Sequence, residues 1–379
     1  MQALQMLWSF VGYLVPFVFV LSIVVFFHEL GHFLVGRWCG VKVAAFSIGF
    51  GKELFAFTDK KGTRWRFALI PLGGYVKFYG DADAASMTDE ELAQHMSPEE
   101  RRISLFGQSV GKRAAIVAAG PIANFLLAIV IFSAVFYTSG RGELAPRIAT
   151  VRAGDAGAIG GFKPGDLVLA INGRSIDHWG DMQRIVQASP DVKLNFTVLR
   201  DGKQVRLEAT PKLREIKTPF GINRAGLLGV TASNRQEDWK VRQFGLGESI
   251  AAGAGETWFV VERTASYIGG LFVGRESADQ ISGPIRIAEV SGEVAKVGIV
   301  ALINLAAILS ISVGLLNLFP VPPLDGGHLL YFAVEAIKGS PLSQIGQEIG
   351  FKIGLALVLA LMVFATYNDI LHIGRKLLG

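Results

Sequence analysis

Charged residues are unevenly spaced along the chain, and four apolar stretches contain no Asp, Glu, Lys or Arg. They are 1–28, 114–140, 297–324 and the shorter 353–368, which continues through Ile373 with few interruptions. A helix that crosses a membrane needs about 20 mostly apolar residues. The pattern therefore predicts about four transmembrane helices, at roughly 8–36, 114–139, 298–320 and 353–374.

The first apolar stretch lies where a secretory signal peptide would lie. It has no basic residues at its start and no small-residue cleavage site, and its apolar run is too long for a signal peptide. We therefore expect this stretch to be retained as the first membrane span.

Lysine and arginine are concentrated between the first two predicted spans. Residues 37–113 contain twelve of them, and none precedes Arg37. Because loops rich in Lys and Arg remain in the cytoplasm, this distribution predicts that 37–113 is cytoplasmic and that 141–296 lies on the opposite side. Arg375 and Lys376, near the C-terminus, weakly oppose this orientation.

Composition agrees with a protein whose principal surroundings are a lipid bilayer. Hydrophobic residues make up 51% of the chain and charged residues 18%, where a soluble domain has about a quarter charged residues. The single cysteine, Cys39, excludes an intramolecular disulfide framework and a multi-cysteine zinc site. The chain has no long Lys/Arg run, so we expect no nucleic-acid partner.

The segment after the first span has a β-like pattern. Apolar runs at 43–57, 65–70 and 75–79 are separated by the turn signal at 59–62 and by Pro71 and a glycine pair. This β-loop either dips into the membrane, where irregular backbone is tolerated beside a protein cavity, or forms a small cytoplasmic sheet. Both placements remain open, and polar residues 82–105 predict a surface helix or a linker.

Residues 141–213 predict a compact α/β domain. The turn Lys163–Asp166 precedes an apolar strand at 167–171, and Asn172-Gly173 follows it as a hairpin signal. This order resembles a PDZ domain, which binds an extended peptide or C-terminal tail by strand addition. A small α/β domain of another kind is the alternative. Residues 214–296 predict a linker with an amphipathic helix between Trp239 and Val261.

The most specific chemical signal lies in the first span. His28 and His32 are one helical turn apart, so both imidazoles can reach one zinc ion, and Glu29 can serve as the catalytic base. Ionisable residues inside a membrane span are costly and mark functional sites by default. The simpler alternative is that these residues only cap the cytoplasmic end of the helix.

A catalytic zinc site usually has a third protein ligand. Pro320, Pro322 and Pro323 must unwind the end of the third span, and Asp325 follows them at the same predicted membrane face as His32. Asp325 is therefore the predicted third ligand, with a helix N-cap as its simpler interpretation and His328 as the other ligand candidate. His95, His178 and His372 receive no role.

These motifs together resemble the site-2 protease family, in particular its bacterial regulator-of-sigma-E group. The resemblance rests on 28–32, the Pro320–Gly327 segment and the PDZ-like domain, and it extends to 47–51, 70–77, 120–125 and 282–285. It implies a zinc metalloendopeptidase of the bacterial inner membrane. Its active site would face the cytoplasm, its PDZ domain would be periplasmic, and its substrates would be single-pass membrane proteins such as trimmed anti-sigma factors.

The same resemblance implies two substrate-binding residues. Asn317 would hold the substrate or stabilise the developing oxyanion, and Asn124 would also contact the substrate. The chain departs from the best-known members of the group in one respect, because it shows one PDZ domain where they have two.

The predicted fold class is therefore a polytopic α-helical membrane protein with a membrane-associated β-loop and one inserted PDZ domain. The predicted boundaries are 1–40, 41–113, 114–140, 141–213, 214–296 and 297–379. Two other functions remain as alternatives. One is a catalytically inactive membrane scaffold bearing a PDZ domain, and the other is an ion transporter, because buried His and acidic residues also mark ion paths.

Overall fold

The computed structural model describes residues 2–80, 96–218, 221–273, 278 and 281–378. The chain divides into two compact units. The first comprises Met1–Ala134, Ile250–Thr264 and Ser282–Gly379, and the second comprises Val135–Ser249 and Ala265–Ile281. The described part of the chain is mostly helical, with some strands.

The elements of the N-terminal part are α1 (Gln2–Trp38), β1 (Val43–Thr58), β2 (Arg64–Phe78), α2 (Pro98–Ile103) and α3 (Val110–Ser139). The strands that follow are β3 (Arg141–Leu144), β4 (Ile148–Val151), β5 (Leu167–Ile171), β6 (Arg174–Ser175), β7 (Leu194–Arg200), β8 (Lys203–Ala209), β9 (Lys212–Thr218), β10 (Gly221–Leu227), β11 (Val230–Ala232) and β12 (Trp239–Arg242). The remaining helices are α4 (Ala156–Ile159), α5 (Trp179–Gln187), α6 (Leu246–Phe272), α7 (Pro284–Val297), α8 (Ile299–Asn317), α9 (Asp325–Lys338) and α10 (Gln344–Leu378).

Four of these helices are long and apolar enough to cross a membrane, as the sequence predicts. The qualifying segments are Val11–Trp38, Val110–Ser139, Ile299–Asn317 and Ile345–Arg375. In an apolar environment the helix satisfies every internal backbone N–H and C=O group, so long uncharged stretches take this form. The third of these four helices, α8, ends at Asn317, three residues before its predicted end. The fourth, α10, is longer than predicted.

Small residues allow the first two long helices to approach closely. A methyl group added at Gly31 in α1 would overlap the backbone carbonyl of Ala119 in α3. Helix pairs in membranes depend on such close backbone contact, because apolar side chains gain little by leaving apolar lipid. Gly31 therefore fixes the crossing of α1 and α3 one residue before His32.

The β-loop predicted after the first span is an antiparallel hairpin. Strands β1 and β2 pair from Val43↔Phe78 at one end to Thr58↔Arg64 at the turn, with register shifts in between. Gly49 and Gly51 have φ values of +89° and +86°, which only glycine adopts readily, so they permit the irregular register. Whether this hairpin enters the membrane stays a prediction.

One half of the hairpin is buried and the other half is exposed. Near its ends, Phe46 and Val76 pack with Phe33 of α1 and Ile116 of α3 in one apolar cluster. The remaining part of both strands has large apolar side chains at the surface, namely Leu54, Phe55, Phe57, Phe67, Leu69 and Ile70. The buried half therefore attaches the hairpin to the two helices that approach closely at Gly31.

The hairpin turn is also tied to the end of α1. The Asp59 carboxylate accepts hydrogen bonds from the Arg37 guanidinium at 2.5 Å and the Trp65 indole N–H at 3.1 Å. Its other oxygen accepts from the backbone N–H groups of Lys61 and Thr63. Arg37 lies five residues after His32, so this network links the hairpin to the helix that carries both histidines.

A second ion pair joins two elements that are far apart in sequence. Arg113, near the start of α3, donates to Glu335 of α9 at 2.6 Å, and the two side chains are only 15% and 12% exposed. Arg113 also lies over the ring of Phe332. Because α9 begins at Asp325, this pair helps to fix the helix that presents that carboxylate.

The second unit is built on a four-stranded antiparallel sheet in the order β6-β5-β7-β8. Its core contains Val168, Phe196 and Val198 from the sheet, with Met182 and Val186 from α5. Three further two-stranded pairings are β4 with β11, β3 with β12 and β9 with β10. The unit is thus a small α/β fold with helices α4 and α5.

The structure differs from two predicted boundaries in this region. The boundary at residue 213 lies inside β9, and β11 from the predicted linker pairs with β4. The predicted amphipathic helix begins at Leu246, because Trp239–Arg242 forms strand β12 against β3. Of the polar segment 82–105, residues 81–95 lie outside the described residues, and Pro98–Ile103 forms α2.

Breaking the buried ion pair between α3 and α9 should destabilise the first unit. Glu335→Gln leaves Arg113 as a poorly compensated charge, so we expect a loss on the order of 3 kcal/mol in the free energy of unfolding. The double variant Arg113→Met/Glu335→Met should recover most of this loss because no charge is stranded. Unfolding in mixed detergent micelles measures both variants, and equal losses in the single and double variants would contradict this view.

The Asp59 network should make stability depend on pH. Burial acts to raise the pKa of Asp59, but hydrogen bonds from Trp65, Arg37 and the backbone of Thr63 and Lys61 outweigh it and lower the pKa to about 2. The charged form therefore adds stability above the ordinary Asp pKa of about 4, and this is lost as the pH falls toward 2.

Asp59→Asn should accordingly lower the melting temperature at pH 7. The difference from wild type should shrink as the pH falls from 4 toward 2, because the wild-type carboxylate becomes protonated there. Thermal unfolding across this pH range measures it. A difference that does not change with pH would show that the carboxylate charge contributes nothing.

Candidate metal centre

Helix α1 places His28 and His32 on one face, four residues apart. Both residues are 9% exposed, and their ring centroids are 4.8 Å apart. The two Nε2 atoms lie 3.3 Å from each other. The spacing of the motif in a continuous helix therefore produces a pair of buried, convergent nitrogen donors.

Asp325 reaches the same point from the other end of the chain. Helix α8 ends at Asn317, the proline-containing segment that follows is not helical, and α9 begins at Asp325. Its Oδ2 atom lies 3.2 Å from Nε2 of His28 and 3.5 Å from Nε2 of His32. Asp325 does not act as a side-chain N-cap, because the N-cap position of α9 is Leu324.

Two glycines make this return of the chain possible. A methyl group on Gly326 would overlap the backbone of Leu318, and one on Gly327 would overlap that of Pro322. The segment between α8 and α9 therefore folds tightly against the start of α9. Any larger residue at these positions would push Asp325 away from the histidines.

The three donor atoms have the spacing that a tetrahedral metal ion requires. Two ligand atoms bound to tetrahedral zinc at about 2.0–2.1 Å lie about 3.3 Å apart. The observed distances of 3.2, 3.3 and 3.5 Å match one face of that tetrahedron. Among the described residues, His28, His32 and Asp325 are the group that could hold a metal ion.

The buried carboxylate gives independent support for a cation at this point. Among the described residues, Oδ2 of Asp325 is buried without a well-formed hydrogen bond, although two histidine nitrogens are nearby. A buried charge of this kind is costly unless it is paired or bound to a metal. The donor set of two imidazoles and one carboxylate fits zinc and leaves a fourth position for water or substrate.

Glu29 is positioned by the hairpin. Its carboxylate accepts a hydrogen bond from the backbone N–H of Val76 in β2. A methyl group added at Gly74 would come within 3.1 Å of the Glu29 Cγ atom, so the strand lies directly against this side chain. Glu29 is therefore next to His28 in sequence but is contacted by β2. The histidines are contacted by α3 and by Asp325 of α9.

Helix α3 contacts the imidazole rings of both histidines. The backbone oxygen of Ile116 lies 2.9 Å from Nδ1 of His32, and the Asn124 side-chain amide lies 3.2 Å from Nδ1 of His28. Between them, a methyl group at Gly120 would overlap Nε2 of His32 and lie 2.9 Å from Cε1 of His28. This face of α3 therefore determines where both rings can lie.

The structure places Asn124 in the interior against His28, and its predicted role as a substrate contact stays a prediction. Asn124 is 0% exposed and its amide is directed at the His28 ring. A substrate could contact this amide only if the amide first moved away from the His28 ring. The Gly120–Phe125 motif resembles the family, and the four-residue spacing of Gly120 and Asn124 within it was the available signal that both face α1.

Among the described residues, none of the other predicted candidates belongs to the three-donor group. Asn317 is the last residue of α8 and is partly buried. His328 lies one turn after Asp325, with its ring 6.4 Å from that of Tyr331, and does not join the group of donors. His178 caps α5 in the second unit, and His372 lies 3.9 Å from Glu289. His95 lies outside the described residues.

A comparison with known protein families identifies the family of this chain. The model of peptidase family M50 matches residues 16–361, which include all three donors and Glu29. The chain belongs to peptidase family M50. This is the site-2 protease family, so the family predicted from the sequence motifs is confirmed, and the chain is a metallopeptidase.

Several relatives are similar to this M50 peptidase along almost its whole length. A candidate zinc metalloprotease of Agrobacterium fabrum is 50% identical over 360 residues, covering 95% of this chain and 96% of the relative. Another from Rhizobium meliloti is 47% identical over 360 residues, covering 94% and 96%. Metalloprotease MmpA of Caulobacter vibrioides is 39% identical over 385 residues, covering 96% of both chains.

The names of two of these relatives include zinc, which is the metal predicted from the sequence. Four helices apolar enough to cross a membrane, together with membership of a membrane-protease family, make this M50 peptidase a membrane protein. The three donors therefore lie among helices suited to a bilayer.

The close contact at Gly120 provides a direct test of the centre. Gly120→Ala should displace His32 and lower the zinc content of the purified peptidase well below one per chain. Gly111→Ala is the matched control, because it lies on the same helix with nothing within 4 Å of an added methyl group. Metal analysis after size-exclusion chromatography measures both. Full zinc occupancy in Gly120→Ala would mean that the rings can shift without losing the ion.

Proposed function

We propose that this M50 peptidase is a zinc metalloendopeptidase that hydrolyses a peptide bond within or near the transmembrane segment of single-pass membrane proteins. His28, His32 and Asp325 would hold the zinc. The observation that carries this proposal is the convergence of the three donors among helices apolar enough to cross a membrane. A site at that location meets peptide bonds that soluble proteases do not reach.

Zinc bound by these three residues would polarise both a water molecule and the scissile carbonyl group. Glu29 would take the proton of that water at its carboxylate and return it to the nitrogen of the departing amine. The backbone N–H of Val76 supports this role because it orients the Glu29 carboxylate. Glu29 also stands outside the donor group, which leaves it free to carry a proton.

Asn317 would stabilise the oxyanion that forms when water attacks. A side-chain amide can donate a hydrogen bond to developing negative charge, and such donors contribute strongly in a site that excludes water. Its position at the end of α8, directly before the segment that folds back to Asp325, supports this role. The partial burial of Asn317 leaves room for a substrate to approach.

The substrate segment would bind in an extended form. Peptide bonds in a helical substrate are enclosed by their own hydrogen bonds, so the segment must unwind before it is cut. The hairpin is a two-stranded sheet among the described residues, and an extended substrate could add to one of its edges. Contact of β2 with Glu29 would bring such a strand close to the general base.

The substrates would include anti-sigma factors already trimmed by another protease. The second unit would act as a single periplasmic PDZ domain that binds a peptide or a C-terminal tail. Its antiparallel sheet and the helices α4 and α5 support that assignment. The concentration of Lys and Arg in 37–113 supports an inner-membrane location with the active site toward the cytoplasm.

Cleavage of a model substrate tests this proposal. Purified wild type and Glu29→Gln would be mixed in detergent with a single-pass protein that lacks most of its periplasmic domain. We expect wild type to cleave it and Glu29→Gln to be at least about 100-fold slower, because the general base is removed. Both proteins should contain about one zinc per chain.

The metal content separates the possible outcomes. An inactive Glu29→Gln protein that has also lost its zinc would show that Glu29 is a ligand rather than the base. Wild type that holds zinc and cleaves no membrane substrate would favour a membrane scaffold. Equal cleavage by both proteins would contradict the role of Glu29.

A further inference from the structure

Each histidine of the metal centre has a second nitrogen that faces α3. Nδ1 of His32 lies 2.9 Å from the backbone oxygen of Ile116, and Nδ1 of His28 lies 3.2 Å from the side chain of Asn124. Ile116, Gly120 and Asn124 are spaced four residues apart, so they lie on one face of that helix. The same face thus contacts both rings.

Metal binding dictates which of these nitrogens carries a proton. A neutral imidazole that binds a metal through Nε2 must carry its proton on Nδ1, which then needs a hydrogen-bond acceptor. For His32 that acceptor is the backbone oxygen of Ile116. For His28 the only candidate at hydrogen-bonding distance among the described residues is the amide of Asn124.

The orientation of the Asn124 amide determines whether its nitrogen or its oxygen faces His28. Its Nδ2 atom faces Nδ1 of His28, while Oδ1 is buried with no hydrogen-bond partner among the described residues. Two N–H groups cannot bond to each other, and the two orientations of an amide differ only by a half rotation. Rotating the amide would direct the unsatisfied oxygen at the proton on His28.

We propose that Asn124 is a positioning residue whose side-chain oxygen accepts a hydrogen bond from Nδ1–H of His28. This fixes the tautomer that presents Nε2 to zinc and holds the ring in place. The inference rests on the proposed function, since it assumes that His28 binds zinc. It replaces the substrate contact predicted for Asn124 with a role on the metal side of the site.

The surroundings of Asn124 suit a fixed acceptor. Its backbone oxygen accepts a hydrogen bond from the Ser310 hydroxyl at 3.0 Å, and a methyl group at Gly314 would come within 3.2 Å of its Cβ atom. Its side chain is fully buried. Helix α8 therefore holds Asn124 against His28, and a rigid acceptor specifies ring orientation better than a mobile one.

Zinc affinity tests this role without depending on activity. The full-length protein in detergent would be titrated with a chromophoric zinc chelator, comparing wild type with Asn124→Ala and Asn124→Asp. Asn124→Ala should weaken zinc binding about 10- to 100-fold, as loss of such an acceptor does at other zinc sites. Asn124→Asp keeps an acceptor and should retain affinity within a few-fold of wild type.

Ser133→Ala is the matched control, because it removes a buried hydroxyl on the same helix that donates a hydrogen bond to the backbone oxygen of Ile129, away from the donors. It should leave zinc affinity unchanged. Thermal unfolding of each zinc-free protein reports whether the fold is intact. If Asn124→Ala does not fold, the comparison of Asn124→Asp with Asn124→Leu decides, because the acceptor is present in one and absent in the other.

Kinetics on the trimmed substrate provide the second measurement. Loss of a positioning residue should lower kcat at saturating zinc and leave KM nearly unchanged. Unchanged zinc affinity in Asn124→Ala with a raised KM would overturn the inference and restore a substrate contact. Wild type that binds no zinc would overturn the proposed function itself, whereas tight zinc binding by both wild type and Asn124→Ala would overturn this inference alone.

Discussion

The structure depends on holding two imidazoles and a carboxylate together among apolar helices. A buried carboxylate without a counter-charge is unstable in such surroundings, and among the described residues the Asp325 carboxylate lies within 3.5 Å of His28 and His32. The histidines come from the first long helix and the aspartate from a helix about 300 residues later. Each surrounding feature brings these helices together or keeps the donors in place.

Helix α3 contacts both α1 and α9 and so holds the three donors together. It crosses α1 closely at Gly31, contacts both rings through Ile116 and Asn124, and has no side chain at Gly120. At its start, Arg113 binds Glu335 on the helix that begins at Asp325. One helix thus contacts both sources of metal donors, which explains why small residues and one buried ion pair occur along it.

The hairpin packs against α1, which carries the two histidines, and against α3, which contacts their rings. Its buried half packs on α1 and α3 beside the metal helix, and β2 holds Glu29 from the side. Its outer half presents apolar side chains at the surface. Glu29 is therefore contacted by β2, whereas the two histidines on the same helix are contacted by α3.

Much of this arrangement could be predicted from the sequence, because long uncharged stretches and a two-histidine spacing have few physical interpretations. The four apolar helices, the hairpin and the group of three donors all follow from such patterns. The position of Asn124 could not be predicted, because contact between helices depends on rotation about the helix axis. The predicted domain boundary at residue 213 lies inside β9 for a similar reason. Pairing of β11 with β4 links segments about 80 residues apart, and local turn signals do not reveal it.

X-ray absorption at the zinc edge of the purified wild-type protein tests the central claim most directly. We expect two imidazole nitrogens and oxygen ligands at about 2.0–2.1 Å, with one oxygen ligand lost in Asp325→Ala. A sulfur ligand at about 2.3 Å, which only Cys39 or a methionine could supply, would contradict it. So would a third imidazole in place of the carboxylate, because the metal would then be held by a different set of residues.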